Sequence, residues 1–371
     1  MLILGIETSC DETSCAVVKC ENNRFFVLSN IISSQIKFHA PYGGVVPNLA
    51  ARKHLQNILP VTKKALKKAG IVPNNLDFIA VTQGPGLIPA LLVGTMAAKT
   101  FSYFWHKPLL GIHHIEGHIY ANFIENKIEN NLDEISKFEV SNSPVKFPLL
   151  CLVVSGGHTQ LIFMKEHLDY TILGETLDDA VGEAFDKVAR ILGLPYPGGP
   201  QIEKKTSMIK NNSYQTLEKK FPRPMINSKD LNFSFSGLKT SVLYLIKKNE
   251  SLLKNDRFVR EVCHEFQEAV TETLIAKTIQ AGKRYSPKTI LLAGGVSANQ
   301  YLQKKMAKII KKELPYSAYH SLDTRYSLDN ATMIAIAGFF RWEKNKDNKN
   351  FQKEIANNWK TLQTQANLEL K

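Results

Sequence analysis

The sequence predicts an α/β protein built from two similar halves, and three observations carry that expectation. Two segments share one pattern, an apolar run, a small polar turn and a second apolar run: LILGIETSCDETSCAVV at Leu2–Val18 and PLLCLVVSGGHTQLIFM at Pro148–Met164. Each is followed by stretches in which strand-like runs alternate with helical periodicity, the order that builds α/β sheets. The chain's 371 residues, 44% of them apolar and 22% charged, exceed one ordinary core and suit two domains of usual size.

In the first half, apolar spacing predicts a helix over about His54–Ala69, a strand over Phe78–Thr82, a helix from about Ile88 to Trp105 and a short strand over Pro108–Ile112. Asn126–Lys146 is rich in Asn, Glu, Ser and Lys without periodicity and reads as an inserted surface loop. Beyond it, Leu177, Val181, Phe185, Val188 and Leu192 recur at helical spacing over Glu175–Leu192, and Gly193 ends the run. A Pro/Gly loop at Tyr196–Pro200, a basic middle segment, a helix near Phe258–Tyr285, a strand over Thr289–Ala293 and a GGVSAN turn follow. The last core helix follows Asp329, and the polar tail beyond Trp342 reads as peripheral.

Composition excludes several classes. The longest apolar stretches, such as Leu149–Val154 and Thr332–Phe340, fall far short of a bilayer span. The N-terminus MLILGIETSC lacks the basic and long apolar regions of a signal peptide, so a cytoplasmic location is expected. Five cysteines without a CxxC pair argue against a disulfide framework or a thiolate zinc cluster, and are expected to be reduced and buried. A net charge of +13 suits a polyanion such as RNA and equally an ordinary basic surface. Lys219–Arg223, Lys239 and Lys304–Lys312 are candidate phosphate contacts, none of them a named motif.

The chemistry-bearing motifs each admit a functional and a packing explanation. In GIHHIEGHIYA, His114 and His118 stand at i and i+4, one face of a helix, which suits either a metal pair or two histidines at the edge of a core helix. The protease motif HExxH needs a glutamate next to the first histidine, whereas Glu116 points about 200° around the helix from His114. His113 reads as a spectator. GIETSCDETS gathers Thr8, Ser9, Asp11, Glu12 and Thr13 between buried strands, fit for a phosphate or metal-water site or for capping the turn. VSGGHTQL is either an anion-binding glycine turn or an ordinary hairpin. TQGPGLIPALLVG leads a strand into a helix N-terminus that can hold an anion, lacks the P-loop lysine, and is as well explained by strand-helix packing. Asp179, Glu183 and Asp186 form an acidic stripe that solvation and a Glu183–Lys187 pair would explain. Asn299 in AGGVSAN suits a ribose contact or a helix cap, and Asp329 in SLDNAT, a natural first-turn acid, is the best hard third ligand for the histidine pair.

The order ETSCDETS, GPGL, HHIEGH, VSGGHTQL, GEAFDK, YPGGP, SFSGLKTS, AGGVSAN and LDNA, over about Leu2–Phe340, resembles the tRNA N6-adenosine threonylcarbamoyltransferase family, proteins once named glycoprotein endopeptidases. The resemblance implies the actin-like fold of sugar kinases, two RNase-H-like halves with a nucleotide cleft between them. It sets domains at 1–122, completed by the C-terminal helix, and 147–341, bearing the nucleotide and metal site, with a 123–146 linker and a 342–371 tail. It implies His114, His118 and Asp329 as ligands of one divalent metal, Fe(2+) or Zn(2+). Val153, Val154, Ser155, Gly156 and Gly157 would line the substrate, and Asp186, Gly199, Glu203 and Asn299 would hold its adenosine and ribose. Glu203 stands where many relatives have aspartate. The implied reaction moves threonylcarbamoyl from threonylcarbamoyl-AMP to adenosine 37 of tRNAs reading codons that begin with A, with Asp11 or Glu12 orienting or deprotonating the amine. The implied partners are tRNA, an inactive paralogue of the same fold, a small P-loop ATPase and a separate synthase that makes the adenylate. The helices of the first half would be the dimerisation surface. The rival activities are a metalloprotease, an actin-fold small-molecule kinase and another carbamoyltransferase.

Overall fold

Complete burial of Ile3, Leu4 and Ile6 makes β1 (Leu2–Glu7) a central strand, shielded on both faces. The computed structural model describes residues 1–22, 24–124, 145–208 and 220–370. The loop expected at Asn126–Lys146, apart from its last two residues, and Lys219 lie outside the described residues. β1 pairs antiparallel with β2 (Glu12–Glu21), which pairs antiparallel with β3 (Arg24–Ser34). After the short α1 (Ile36–His39), α2 (Pro47–Ala69) starts seven residues before the expected His54, because Pro47 fills the first turn, where its missing N–H goes unused. Gly70, at φ 66°, ends it. β4 (Phe78–Gly84), α3 (Ile88–Trp105), β5 (Leu109–His113) and α4 (His114–Tyr120) complete this stretch, and the sheet runs β3-β2-β1-β4-β5 with β1, β4 and β5 parallel.

The next stretch repeats that order. β6 (Leu149–Val154), β7 (Thr159–Met164) and β8 (Tyr170–Glu175) form an antiparallel meander. Then come α5 (Val181–Ile191), α6 (Gly198–Ser207), α7 (Ser236–Lys248), α8 (Asp256–Tyr285), β9 (Thr289–Ala293), α9 (Gln300–Glu313) and β10 (Ala318–Ser321). The sheet runs β10-β9-β6-β7-β8 with β6, β9 and β10 parallel, so its topology is that of the first. Two such RNase-H-like units are the actin-like fold. The helix expected from Glu175 begins at Val181 instead, because Glu175 is still paired with Gln160 across β8 and β7. Leu177 therefore falls off the apolar stripe and is 63% exposed.

The chain then returns to the first unit with α10 (Thr324–Ser327), α11 (Ala331–Asn345) and α12 (Lys349–Thr361). Among the described residues, the first unit takes 1–39, 45–124 and 323–370, and the second takes 40–44 and 145–322. The boundary expected at 341 is thus corrected to 322/323. The reason is packing: α11 lies directly on β1, where a Cβ on Gly5 would come 2.1 Å from the Ala331 carbonyl oxygen. The tail is not peripheral, because α12 buries Ile355 and Asn358, and the Asn358 amide donates to the Leu109 carbonyl of β5 at 2.9 Å. No described helix is long and apolar enough to cross a membrane.

Candidate metal centre and adenosine-binding edge

α4 starts where it does because His113 caps it: its Nδ1 accepts the Ile115 N–H at 3.1 Å, while its Nε2 donates to the Leu368 carbonyl at 2.9 Å. One turn of helix then sets the His114 and His118 rings 4.7 Å apart. Asp329 arrives from the turn before α11, with Oδ1 3.5 Å from His114 Nε2 and 3.2 Å from His118 Nε2. It is not the first-turn acid expected; Asn330 is the cap, accepting the Met333 N–H, which leaves the Asp329 carboxylate for the histidines. All three ligand atoms lie within 4.8 Å of one another, inside the first unit.

The donor set fits a divalent ion. Both ring nitrogens of His118 are buried and make no hydrogen bond among the described residues, since the 3.2 Å approach of Asp329 lacks hydrogen-bond geometry. Two imidazoles and one carboxylate converging on one point leave coordination positions open, as a catalytic metal requires.

Glu7, the last residue of β1, is a part of the site that the sequence reading missed. Fully buried, it sets Oε2 3.1 Å from His114 Nδ1 and accepts hydrogen bonds from the Thr82 hydroxyl and the Ser9 N–H. By accepting a hydrogen bond from Nδ1, Glu7 would leave Nε2 as the ligand atom, the carboxylate–histidine arrangement that orients metal ligands. Burial alone would lower the His114 pKa, but the Asp329 and Glu7 carboxylates outweigh it and raise it to about 9. Burial would likewise raise Glu7, yet the facing His114 holds it below its ordinary value. The one sequence signal for Glu7 is an acid ending an otherwise apolar run.

Glu116 is fully buried too, and it is held in a bidentate pair with Arg341 at 2.7–3.0 Å. Glu116, already out of place for a zinc-protease motif, thus serves an ion pair with α11.

The acidic turn lies beside this cluster. Ser9 Oγ is 3.2 Å from His114 Nδ1, and Thr8 Oγ1 donates to the Ala90 carbonyl. His54 Nε2 meets the Cys10 carbonyl at 3.0 Å and Nδ1 meets Thr13 Oγ1 at 2.8 Å, which pins the turn from α2. Asp11 and Glu12 are both buried, and Glu12 accepts from Ser34 Oγ at 3.0 Å. Burial first, and then the charges of Asp11 and Asp329, push the Glu12 carboxyl well above the ordinary carboxylate range. The Gly-Pro-Gly segment packs onto this turn: a Cβ on Gly86 would come 2.7 Å from the Ser9 carbonyl oxygen. Packing explains that motif.

The remaining candidates gather in the second unit, around the carboxyl ends of parallel β6 and β9, where α/β sheets take ligands. Val153 and Val154 are buried at the end of β6. Ser155 closes the turn, accepting the His158 N–H on Oγ at 3.1 Å. Gly156 and Gly157 are exposed, and a Cβ on either would meet nothing within 4 Å, so neither packing nor backbone angle calls for glycine there. Asp186 accepts the Gly198 N–H at 2.7 Å, which holds α6 and Gly199 against α5. Glu203 accepts the Gln300 N–H at 2.7 Å, and burial raises its pKa. Asn299 caps α9 through the Leu302 N–H and donates to Gln267 at 3.0 Å. Asp179 lies outside the helix, bound to Lys187 and Lys239, whereas the Glu183–Lys187 pair forms as expected at 2.8 Å.

Comparison with known proteins gives one consistent result. The family model of tRNA N6-adenosine threonylcarbamoyltransferase (TsaD) matches residues 26–336. The proteins so named from Thermosipho melanesiensis and Bacillus subtilis are 47% identical over 347 residues and 45% identical over 346 residues. These matches cover 94% of this chain and 97% of the first relative, and 93% of this chain and 91% of the second. The crystal structure of T. kodakarensis HypF superposes with a TM-score of 0.55 at 14% identity, covering 92% of this chain and 48% of that one, a likeness of fold alone.

Proposed function

The chain belongs to the tRNA N6-adenosine threonylcarbamoyltransferase family, and from that premise we propose that it moves the threonylcarbamoyl group of threonylcarbamoyl-AMP to the N6 amine of adenosine 37 in tRNAs reading codons that begin with adenine. The amine nitrogen bonds to the carbamoyl carbonyl carbon, the bond from that carbon to the phosphate oxygen breaks with its electron pair leaving on AMP, and the amine gives up one proton. The observation that carries the reading is the His114–His118–Asp329 cluster, backed by a buried carboxylate, beside an acidic turn.

His114, His118 and Asp329 would hold one divalent ion, a two-histidine, one-carboxylate set that suits iron(II) ahead of zinc. When bound, the ion supplies Lewis-acid polarisation of the carbamoyl carbonyl or of the leaving phosphate. Glu7 keeps His114 in the ligating tautomer. Asp11 or Glu12 orients the amine or takes its proton; both are buried in the turn beside the cluster, and burial with the Asp11 and Asp329 charges holds the Glu12 carboxyl above its ordinary range. Val153, Val154, Ser155, Gly156 and Gly157 line the donor, whose anionic group suits the bare glycine backbone. Asp186, Gly199, Glu203 and Asn299 hold its adenosine and ribose, a role supported by their position at the β6 and β9 carboxyl ends.

The protein works with an inactive paralogue of the same fold, a small P-loop ATPase and a synthase that supplies the adenylate. Support for the paralogue is an apolar stripe on the mutually packed α2 and α3, where Leu55, Leu59, Leu92 and Met96 are 65%, 62%, 43% and 56% exposed. The test is to supply tRNA, threonine, bicarbonate, ATP and the partner proteins, and to examine the digested nucleosides by mass spectrometry. Threonylcarbamoyladenosine from wild type and none from His114→Ala supports the reading. Chelator-sensitive cleavage of a glycoprotein, or phosphorylation of a sugar, with no modified nucleoside would replace it.

A further inference from the structure

Among the basic segments the sequence offers for phosphate contact, two are engaged inside the fold. Lys239 lies 2.7 Å from Asp179, and Arg223 is shared between Glu265 and Glu272. α9 is different. Lys304, Lys308, Lys311 and Lys312 are all exposed, and at i, i+4, i+7 and i+8 they share one face, opposite the buried Leu302, Met306 and Ile310. Lys305, which turns inward, is neutralised by Glu268. The helix has a single acid, Glu313, its last residue, whose carboxylate is 2.7 Å from Lys283 of α8 and 3.9 Å from Lys312.

Ordinary helix stability does not account for this stripe. Lys311 and Lys312 in the last turn complement the helix dipole, but Lys304 and Lys308 lie beyond that turn, and like charges at i and i+4 repel. The stripe also has a fixed relation to the adenosine-binding edge: Asn299 caps its helix, and Lys304 lies within electrostatic reach of Glu203.

We propose that this face of α9 is the track along which tRNA phosphates are held, with the exposed Arg284 at the end of α8 extending it. The inference rests on the proposed function and adds to it the surface that takes the nucleic acid. Lysines four residues apart are separated by about 6 Å along the axis, a step comparable with that between successive phosphates of an RNA strand. The contacts are ionic and carry no sequence information; they hold the strand in register.

The test uses the full chain with its metal, unmodified tRNA, and a salt series read by fluorescence anisotropy. In Lys304→Gln/Lys308→Gln/Lys311→Gln, affinity at ordinary ionic strength falls on the order of tenfold, and the slope of log affinity against log salt becomes shallower by about 2 to 3. The corresponding arginine triple keeps the wild-type slope. So does a glutamine triple at Lys63, Lys64 and Lys67 of α2. Removing mutual repulsion leaves the melting temperature of the glutamine variant at or above wild type, which separates the effect from misfolding. A glutamine triple with the wild-type slope overturns the proposal alone, as does a variant that loses an acidic protein partner while binding tRNA normally. Wild-type protein that does not bind tRNA overturns the proposed function and this inference together.

Discussion

The two sheets share one topology, yet the turns at corresponding places carry opposite chemistry. Thr8–Asp11 joins β1 to β2, and Ser155–His158 joins β6 to β7. The first turn is buried, flanked by Glu7 and Glu12, and held by side chains from β4, α2 and α4. The second is a plain hairpin whose exposed tip is two glycines. A turn of buried acids can retain a proton or face a cation, whereas a bare glycine turn offers backbone N–H groups to an anion. One duplicated scaffold thus carries two chemically unlike turns, because the turn is where sequence can change without disturbing the ladder.

The strongest way to break this comparison is to remove a metal ligand from the first unit. His118→Ala or Asp329→Ala should lose bound metal and slow transfer on the order of 10³-fold, as read by elemental analysis and nucleoside yield. An unchanged rate would leave the acidic turn without its expected function. Glu12→Gln keeps the shape of the turn but removes an acid, and should lower the transfer rate on the order of 10²-fold with metal content intact. Glu7→Gln sharpens the account: metal affinity should weaken about 10- to 100-fold while the fold is retained, measured by competition with a chelator.

Metal uptake should also depend on pH. Because the Asp329 and Glu7 carboxylates raise the His114 pKa to about 9, an incoming ion displaces a proton below that pH. Apparent affinity should therefore rise with pH, about tenfold per unit, and level off above about 9. A flat titration would mean that His114 is not a ligand. The smallest effect belongs to the second turn. Gly157→Ala meets nothing in the fold, so its melting temperature should match wild type while KM for the donor rises on the order of fivefold, one poorly met contact of about 1 kcal/mol. Lost stability with unchanged KM would make that turn structural.

Much of this was legible from the chain. The duplicated strand-turn-strand pattern predicted both sheets, and i, i+4 spacing put His114 and His118 on one face of α4. Pattern failed where long-range contact decides. Glu175 looks helical by spacing but is taken by the β8 ladder, and the C-terminal segment looks polar because most of α12 faces solvent, although Ile355 and Asn358 anchor it. Glu7 was hidden for a related reason: only the fold brings it to His114, and a buried carboxylate has no signature until its partner is known. His113 looked idle because hydrogen bonds such as those to Ile115 and Leu368 leave no periodic trace.

The most direct measurement supplies purified protein and its paralogue and ATPase partners with ATP, synthetic threonylcarbamoyl-AMP and unmodified tRNA, and scores modified adenosine by mass spectrometry for wild type and His114→Ala, with metal bound to the purified chain quantified alongside. The account predicts modified adenosine and about one metal ion per chain for wild type, and neither for His114→Ala, although that variant still binds tRNA. Equal yields of modified adenosine from the two proteins would contradict it.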